Sequence, residues 1–431
     1  MIDRRLLEVA AARGMAATAV QTEARTSQVS FEFNRLKGLE DTEELSTVLQ
    51  VIRDGKLGLA GSTRPDGMTD LVDAAAEVAE FGAPVTYELP APAPAARLAA
   101  HDPRLAALTV DEMIGYGERI TSFLRRLHPD LQVMVIMERE AQHRAISNTA
   151  GLQAAWDRTT FEMYVGAEMI RGKDFLAISD GIATTTADFD LAALLQGLAE
   201  DFTAAQQVVS LEQGNYPVLF RPAAFSELIS PLLACLDGGA VVRGVSPLGG
   251  RLGEAILAPS LTVVEDGILD GGYGSRMYDD QGVACRRTPL IEAGVLREFL
   301  LDLDSAARLG RRPIGTGGMT RPRPNNILVL PGDTSWRAMV AGIRRGIMIA
   351  QSIGAWAGNP YSGQVSGSIG LGYLIEDGQI QGRIKDCMFN LNVFTHLRTH
   401  LQALSSETKV LGGQVLPWAL IDGVSLATRG S

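Results

Sequence analysis

Residues 372–382 read GYLIEDGQIQG, and the Asp-Gly pair at 377–378 between two apolar runs decides how the second half of the chain is built. Both central positions of a tight two-residue hairpin turn take positive φ, which Asp and Gly tolerate, so the segment reads as two antiparallel strands. Moving outward, LTVVEDGIL (261–269) repeats Glu-Asp-Gly between apolar runs, and PLIEAGVLREF (289–299) sets Glu-Ala-Gly between strands around Ile291 and Val295. NNILVLPG (325–332) adds another short apolar strand. Such repeated hairpins imply an antiparallel, partly closed β-rich domain over 216–431, interrupted by a helix near 333–350. Its apolar strands around NNILVLPG and GYLIEDGQI need covered edges, which places a self-association or partner surface there.

The first half mixes helices with strands, so the fold class is α+β. An N-terminal α+β domain is expected over 1–85. It has a half-buried strand alternating through Val29, Phe31 and Phe33, a hairpin at Asp54-Gly55, and a helix ending at Gly82. Closely spaced prolines mark 86–106 as an extended Pro/Ala-rich linker. A central α/β region follows over 107–215, with a helix at 110–127, three strands, a turn between Asn148 and Gly151, and a long helix at about 188–213. A short strand and a helix near 222–236 open the C-terminal domain. The whole reads as curved antiparallel sheet carrying helices, followed by the β-rich unit.

A chain of 431 residues exceeds the size at which one core usually stops growing, and 46% hydrophobic residues can fill more than one. The formal net charge of −11 disfavours attraction to nucleic-acid phosphates. No uncharged apolar run is long enough to span a membrane. The first residues, MIDRRLLEVAAARGMAATAV, read as an amphipathic helix inside the fold and not as a signal peptide. Cys235, Cys285 and Cys387 lie far apart, which suits a reducing cytoplasm and offers no zinc knuckle.

The close histidine pair, His396 and His400 in THLRTH, has Leu397 where a hydrolase of the H-E-x-x-H type needs its glutamate, so packing or surface histidines are expected. In EREAQHR, Glu138 and Glu140 share a strand face and His143 takes the other, as a solvated charge run would. Cys285 reads as a buried thiol. The glycine-rich GTGGMT, SGSIGLG and SPLGGRLGE lack the context of a phosphate loop. A denser polar cluster lies in GGYGSRMYDDQGVACRRTPLIEAG (271–294), with Arg276, Asp279, Asp280, Arg286 and Arg287. Arginine forks there suit a peptide carboxylate or carbonyl, and the aspartates an amine; the same charges equally suit ion pairs joining two hairpins. Adjacent strand positions face opposite ways, so one of the pair braces the sheet; Arg287 shares the more buried face with Cys285 and is expected to be that brace, with Arg286 toward solvent and substrate.

The passage GGYGSRMYDDQGVACRRTPLIEAGVLREFLLDLDSAARLG (271–310) resembles the signature region of the TldD/PmbA family, metallopeptidase-related proteins once called modulators of DNA gyrase. RPRPNNILVLPGDTS (321–335) and YSGQVSGSIGLGYLIEDGQIQGRIKDCMFN (361–390) continue the likeness in order, and VIRDGKLGLAGST (51–63) and ISNTAG (146–151) extend it. The metal-bearing branch carries an H-E-x-x-x-H helix and a distal cysteine. Laid on SELISP, that motif puts Ser226 and Pro231 where histidines would stand and matches only Glu227; no histidine lies between His143 and His396, and LSSETKVLGGQVLPWALIDG (404–423) has no cysteine. The resemblance therefore implies the PmbA, or TldE-like, branch, with no cofactor in this chain and zinc only in a partner. It also implies a metal-bearing TldD-like homologue as heterodimer partner, or a homodimer in isolation, enclosing unfolded or small modified peptides. Arg276, Asp279, Asp280, Arg286, Arg287 and Asn325 are the expected substrate or chamber contacts. A self-sufficient hydrolase with an unconventional group and a non-catalytic peptide-binding scaffold are the alternatives.

Overall fold

The computed structural model describes residues 4–64, 68–172, 174–355 and 358–428. Its first sheet holds six antiparallel strands: β1 (Ala16–Glu32), β2 (Arg35–Arg53), β3 (Lys56–Ser62), β4 (Gln132–Asn148), β5 (Gln153–Arg171) and β6 (Asp174–Thr184), in the order β3-β2-β1-β4-β5-β6. Asp54 (φ 51°) and Gly55 (φ 74°) make the expected turn between β2 and β3. Phe33, expected within a strand, instead takes positive φ beside Asn34 and forms the β1–β2 turn, where it is exposed. Asn34 pins that turn by accepting from the Val133 amide at 2.9 Å.

The segments assigned to 1–85 and 107–215 share this one sheet. β1 bonds β2 along one edge and β4 along the other, with Thr18 opposite Asn148 and Phe31 opposite Val135. A strand that alternates apolar and polar residues looks the same from sequence whether one edge or both are paired, so the second partner was not visible. Residues 86–102, which follow an isolated bridge at Pro84, hold no regular element and pass over the body, where Asn148 and Tyr278 donate to the carbonyls of Pro90 and Ala93. One face of the sheet, through Val133, Val135 and Met137 of β4, packs with the helix Val110–Leu127. That helix starts at a Thr109/Glu112 capping box.

The second sheet comprises β7 (Gly214–Phe220), β8 (Val263–Asp266), β9 (Arg287–Glu292), β10 (Val295–Leu296), β11 (Ile327–Val329), β12 (Arg345–Ile353), β13 (Gln364–Glu376), β14 (Gln379–Arg383), β15 (Cys387–Asn392), β16 (Leu401–Leu411) and β17 (Gln414–Thr428). Strands β7, β12, β13, β15 and β17 form a ring, because β17 returns to pair with β7 (Ile421 opposite Val218). Alternation then divides the wall's two faces. Val218, Phe220, Ile347 and Ile349 join the helix Pro222–Leu236 in one core, while Leu219, Met348 and Tyr373 join the core of the first sheet.

Four expectations change here. The helix placed at 333–350 is a short helix, Trp336–Gly342, followed by β12; the Ile347–Ala350 run is apolar on both faces because both are buried. The helix at 188–213 stops at Ala204. Glu265-Asp266-Gly267 is no hairpin turn, since β8 pairs laterally with β9 and β11 and buries both carboxylates. Asp377-Gly378 and Ala293-Gly294 do turn with positive φ at both positions. The strands in NNILVLPG and GYLIEDGQI are not open edges: β11 lies between β8 and β17, and β13 between β12 and β15 with β14 beside it. The need for covered edges is met inside the chain.

Candidate functional site

The helix Pro222–Leu236 carries Ser226, Glu227 and Pro231, the positions on which the resemblance lays a metal motif. Pro222 is tolerated in its first turn, and Phe225, Leu228, Ile229 and Leu232 repeat at helical spacing and are buried. Ser226 donates its hydroxyl to Gln414 Oε1 at 2.9 Å. Pro231 is buried inside the helix, where it offers no ligating atom and deprives the Glu227 carbonyl of its usual amide. Glu227 is half-buried, and burial pushes its carboxyl above the ordinary range. A neutral hydroxyl already in use, a proline and one carboxylate do not fit a zinc ion. Among the described residues, no group of three or more His, Cys, Asp and Glu side chains is placed to hold a metal.

The other histidine and cysteine candidates are used structurally. His396 and His400 stack at 4.9 Å between ring centroids at the end of a short helix, Val393–Thr399, with His396 Nδ1 against the Asn392 carbonyl at 2.9 Å. His143 pairs with Asp157 at 2.7 Å on the face opposite Glu138 and Glu140. Cys285 is buried against the Gly315 carbonyl, and burial pushes its thiol far up.

The predicted polar cluster is split. Arg276 is buried and donates from Nε to Asn325 (2.5 Å) and from Nη1 to Asp280 (2.6 Å). Asn325 in turn donates to Glu265 Oε1 at 2.6 Å and to the Gly315 carbonyl. Glu265 is fully buried with its second oxygen unpartnered, and burial, opposed by the two Asn325 bonds, raises its carboxyl to about 8. Asp279 accepts the amides of Gln281, Val283 and Gly317; burial lifts it to about 6 against Arg276 and those amides. Gly274 admits no side chain, because a Cβ would lie 2.1 Å from the Asn325 carbonyl oxygen. Arg287 leaves this group to pair with buried Asp266 at 2.7 Å, and Arg286 is exposed beside it.

Arg276 and Asn325 line a cavity of ≈ 410 Å³ whose opposite wall is the second face of β4 and β5. Even-numbered positions Glu138, Glu140, Gln142 and Arg144 of β4 lie opposite Glu162, Thr160, Arg158 and Trp156 of β5, so all project to that face. Arg144 donates to Asp280 at 2.7 Å, and Arg158 reaches Glu140 at 3.3 Å and the Tyr273 carbonyl. Burial lowers the pKa of Arg144 against the pull of Asp280, and Arg276, Arg323 and Arg158 press the same way. Glu138 also lines a neighbouring cavity of ≈ 500 Å³ with Ile136, Tyr164, Arg221 and Trp418. The two cavities together make a groove between the sheets, polar at one end and more apolar at the other. Arg144, Arg158 and Arg323 were absent from the sequence candidates. The first two were within reach of the alternation that pairs Glu138 with Glu140, continued along β4 and across to β5.

The fold and these segments define a member of a metallopeptidase family. Residues 213–428 match the PmbA/TldA metallopeptidase C-terminal domain and residues 17–79 match domain 1 of the same group, and the chain belongs to this family. It is similar to a metalloprotease of Methanothermobacter thermautotrophicus, 30% identical over 198 residues covering 43% of this chain and 42% of that protein. The metalloprotease PmbA of Escherichia coli O157:H7 is 28% identical over 184 residues, 41% and 40% of the two chains. The matched stretch thus spans about two fifths of the length of these relatives. TldE from Thermococcus kodakarensis shares the fold, with a TM-score of 0.91 at 22% identity over 98% of this chain and 99% of that one.

Proposed function

We propose that this chain is the non-metal subunit of a TldD/TldE-like metallopeptidase complex, where it helps enclose and position unfolded or small modified peptides for a metal-bearing partner. The observation that carries the reading is the helix Pro222–Leu236, on which Ser226, Glu227 and Pro231 do not fit a zinc ion. Zinc in such a complex comes with the partner. This chain's share is the groove: its arginines suit backbone carbonyls or a carboxylate, and its carboxylates suit amines. Arg276 and Asn325 line its wall. Three buried free thiols fit a cytoplasmic setting for the complex.

Peptide hydrolysis by the purified chain, by a homologue with an intact H-E-x-x-x-H helix, and by the two together tests this reading. The expected result is no cleavage by this chain alone and faster cleavage by the pair than by the homologue. Cleavage by this chain alone favours a self-sufficient hydrolase, and a pair no faster than the homologue favours a binding scaffold.

A further inference from the structure

Four guanidinium groups, those of Arg144, Arg158, Arg276 and Arg323, converge on the ≈ 410 Å³ cavity, and the carboxylates in contact with them fall short. Asp280 is shared by Arg144 and Arg276 through the same oxygen. Glu140 meets Arg158 through one 3.3 Å contact. Arg323 is exposed and meets no carboxylate within ion-pair distance among the described residues. Arg158 Nε is buried with no acceptor at all. An unpartnered buried donor is costly, and so is crowding like charges in a cleft with low-dielectric walls, so the arrangement is incomplete without an anion. The framework is preset. Arg144 and Arg158 stand on adjacent paired strands, and Arg323 sits between Pro322 and Pro324 with its amide donating to the Thr316 carbonyl.

Resting on the reading of this chain as a peptide-positioning subunit, we propose that this cleft binds a peptide carboxylate, received by Arg323 and the accessible part of the Arg158 guanidinium, with Arg144 and Arg276 held behind by Asp280. A guanidinium fork matches the planar carboxylate. Glu138 and Glu140 on the same strand face disfavour a more highly charged phosphate, because each added negative charge meets their repulsion. The adjoining cavity lined by Ile136, Tyr164 and Trp418 receives the apolar side chains that precede the carboxylate.

Calorimetric titration of the isolated full chain tests this with N-acetylated penta-alanine as free acid, as C-terminal amide, and as an amide carrying one internal glutamate. The free acid is expected to bind at least about tenfold more tightly than the plain amide, the worth of one charge-assisted contact. Arg323→Ala should bring the acid to the level of the amide with the melting temperature unchanged, and Arg158→Gln should do so in part. If the glutamate-bearing amide matches the free acid, the carboxylate comes from a side chain as readily as from the chain end; if it matches the plain amide, the terminus is the ligand. Equal affinity for all three peptides, no binding of any, or an Arg323→Ala variant weakening all alike overturns the proposal. No partner is present, so a missing acid preference with intact stimulation of a metal-bearing homologue removes this site alone, and the converse removes only the subunit reading.

Discussion

The helix Pro222–Leu236 and the arginine-lined cleft are opposites. On the helix the polar groups are few, and the Ser226 hydroxyl is spent on Gln414; the residues that a metal would need are a proline and a serine. In the cleft the polar groups outnumber their partners, with Asp280 divided between two arginines and Arg158 Nε left open. A site that has lost its chemistry packs itself shut, whereas one that still receives a ligand keeps unspent donors. This contrast is what the proposed reading of the chain as a peptide-holding subunit rests on.

The largest expected effect follows from removing the charge on which the cleft wall is built. Arg276→Met leaves Asp280 with Arg144 alone and strips the Asn325 Oδ1 of its donor, and breaking a buried pair of this kind costs about 3–5 kcal/mol. Urea denaturation should show that loss, and a change under about 1 kcal/mol would mean that Arg276 is not the keystone. Arg287→Ala should cost less, about 2 kcal/mol, because Asp266 is buried but the arginine is half exposed. The same alteration at Arg286 should leave stability unchanged.

A pH test separates the buried layer from the open one. The Glu265 carboxyl rises from its ordinary 4.5 to about 8 in the fold, so between those values the folded chain keeps a proton that the unfolded chain has released. Its contribution is therefore full at the acid end and falls as pH rises toward 8, by up to about 1.4 kcal/mol per unit. Glu265→Gln should flatten that fall and give a chain more stable than the parent near pH 8. Parallel pH profiles of the two proteins would show that Glu265 is ionised throughout.

How much of this was open to sequence reading depends on what each signal reports. Turn chemistry located Asp54-Gly55, Ala293-Gly294 and Asp377-Gly378, because positive φ restricts residue type. It failed at Asp266-Gly267 because there glycine answers a different need: a Cβ would lie 2.7 Å from the Cβ of Cys285. The vacancy on the metal helix was legible, since a missing histidine is a fact of composition. The cleft was only half legible. Arg276, Asn325, Arg323 and Arg144 all stood in quoted segments, and alternation along β4 and β5 reaches Arg144 and Arg158, but the meeting of those strands with the loops of the second sheet is not carried by local pattern.

The smallest expected effect is on the helix itself. Ser226→His combined with Pro231→His should leave this chain without hydrolytic activity, because the family's distal cysteine is absent and nothing orients the new imidazoles. Peptide cleavage by that variant alone would reverse the contrast drawn above.

The most direct measurement is the zinc content of the purified parent chain by elemental analysis after mild dialysis. Zinc far below one atom per chain is the predicted result, because a hydroxyl already bonded to Gln414, a proline and one carboxylate do not fit the ion. A tightly held zinc approaching one atom per chain would contradict it.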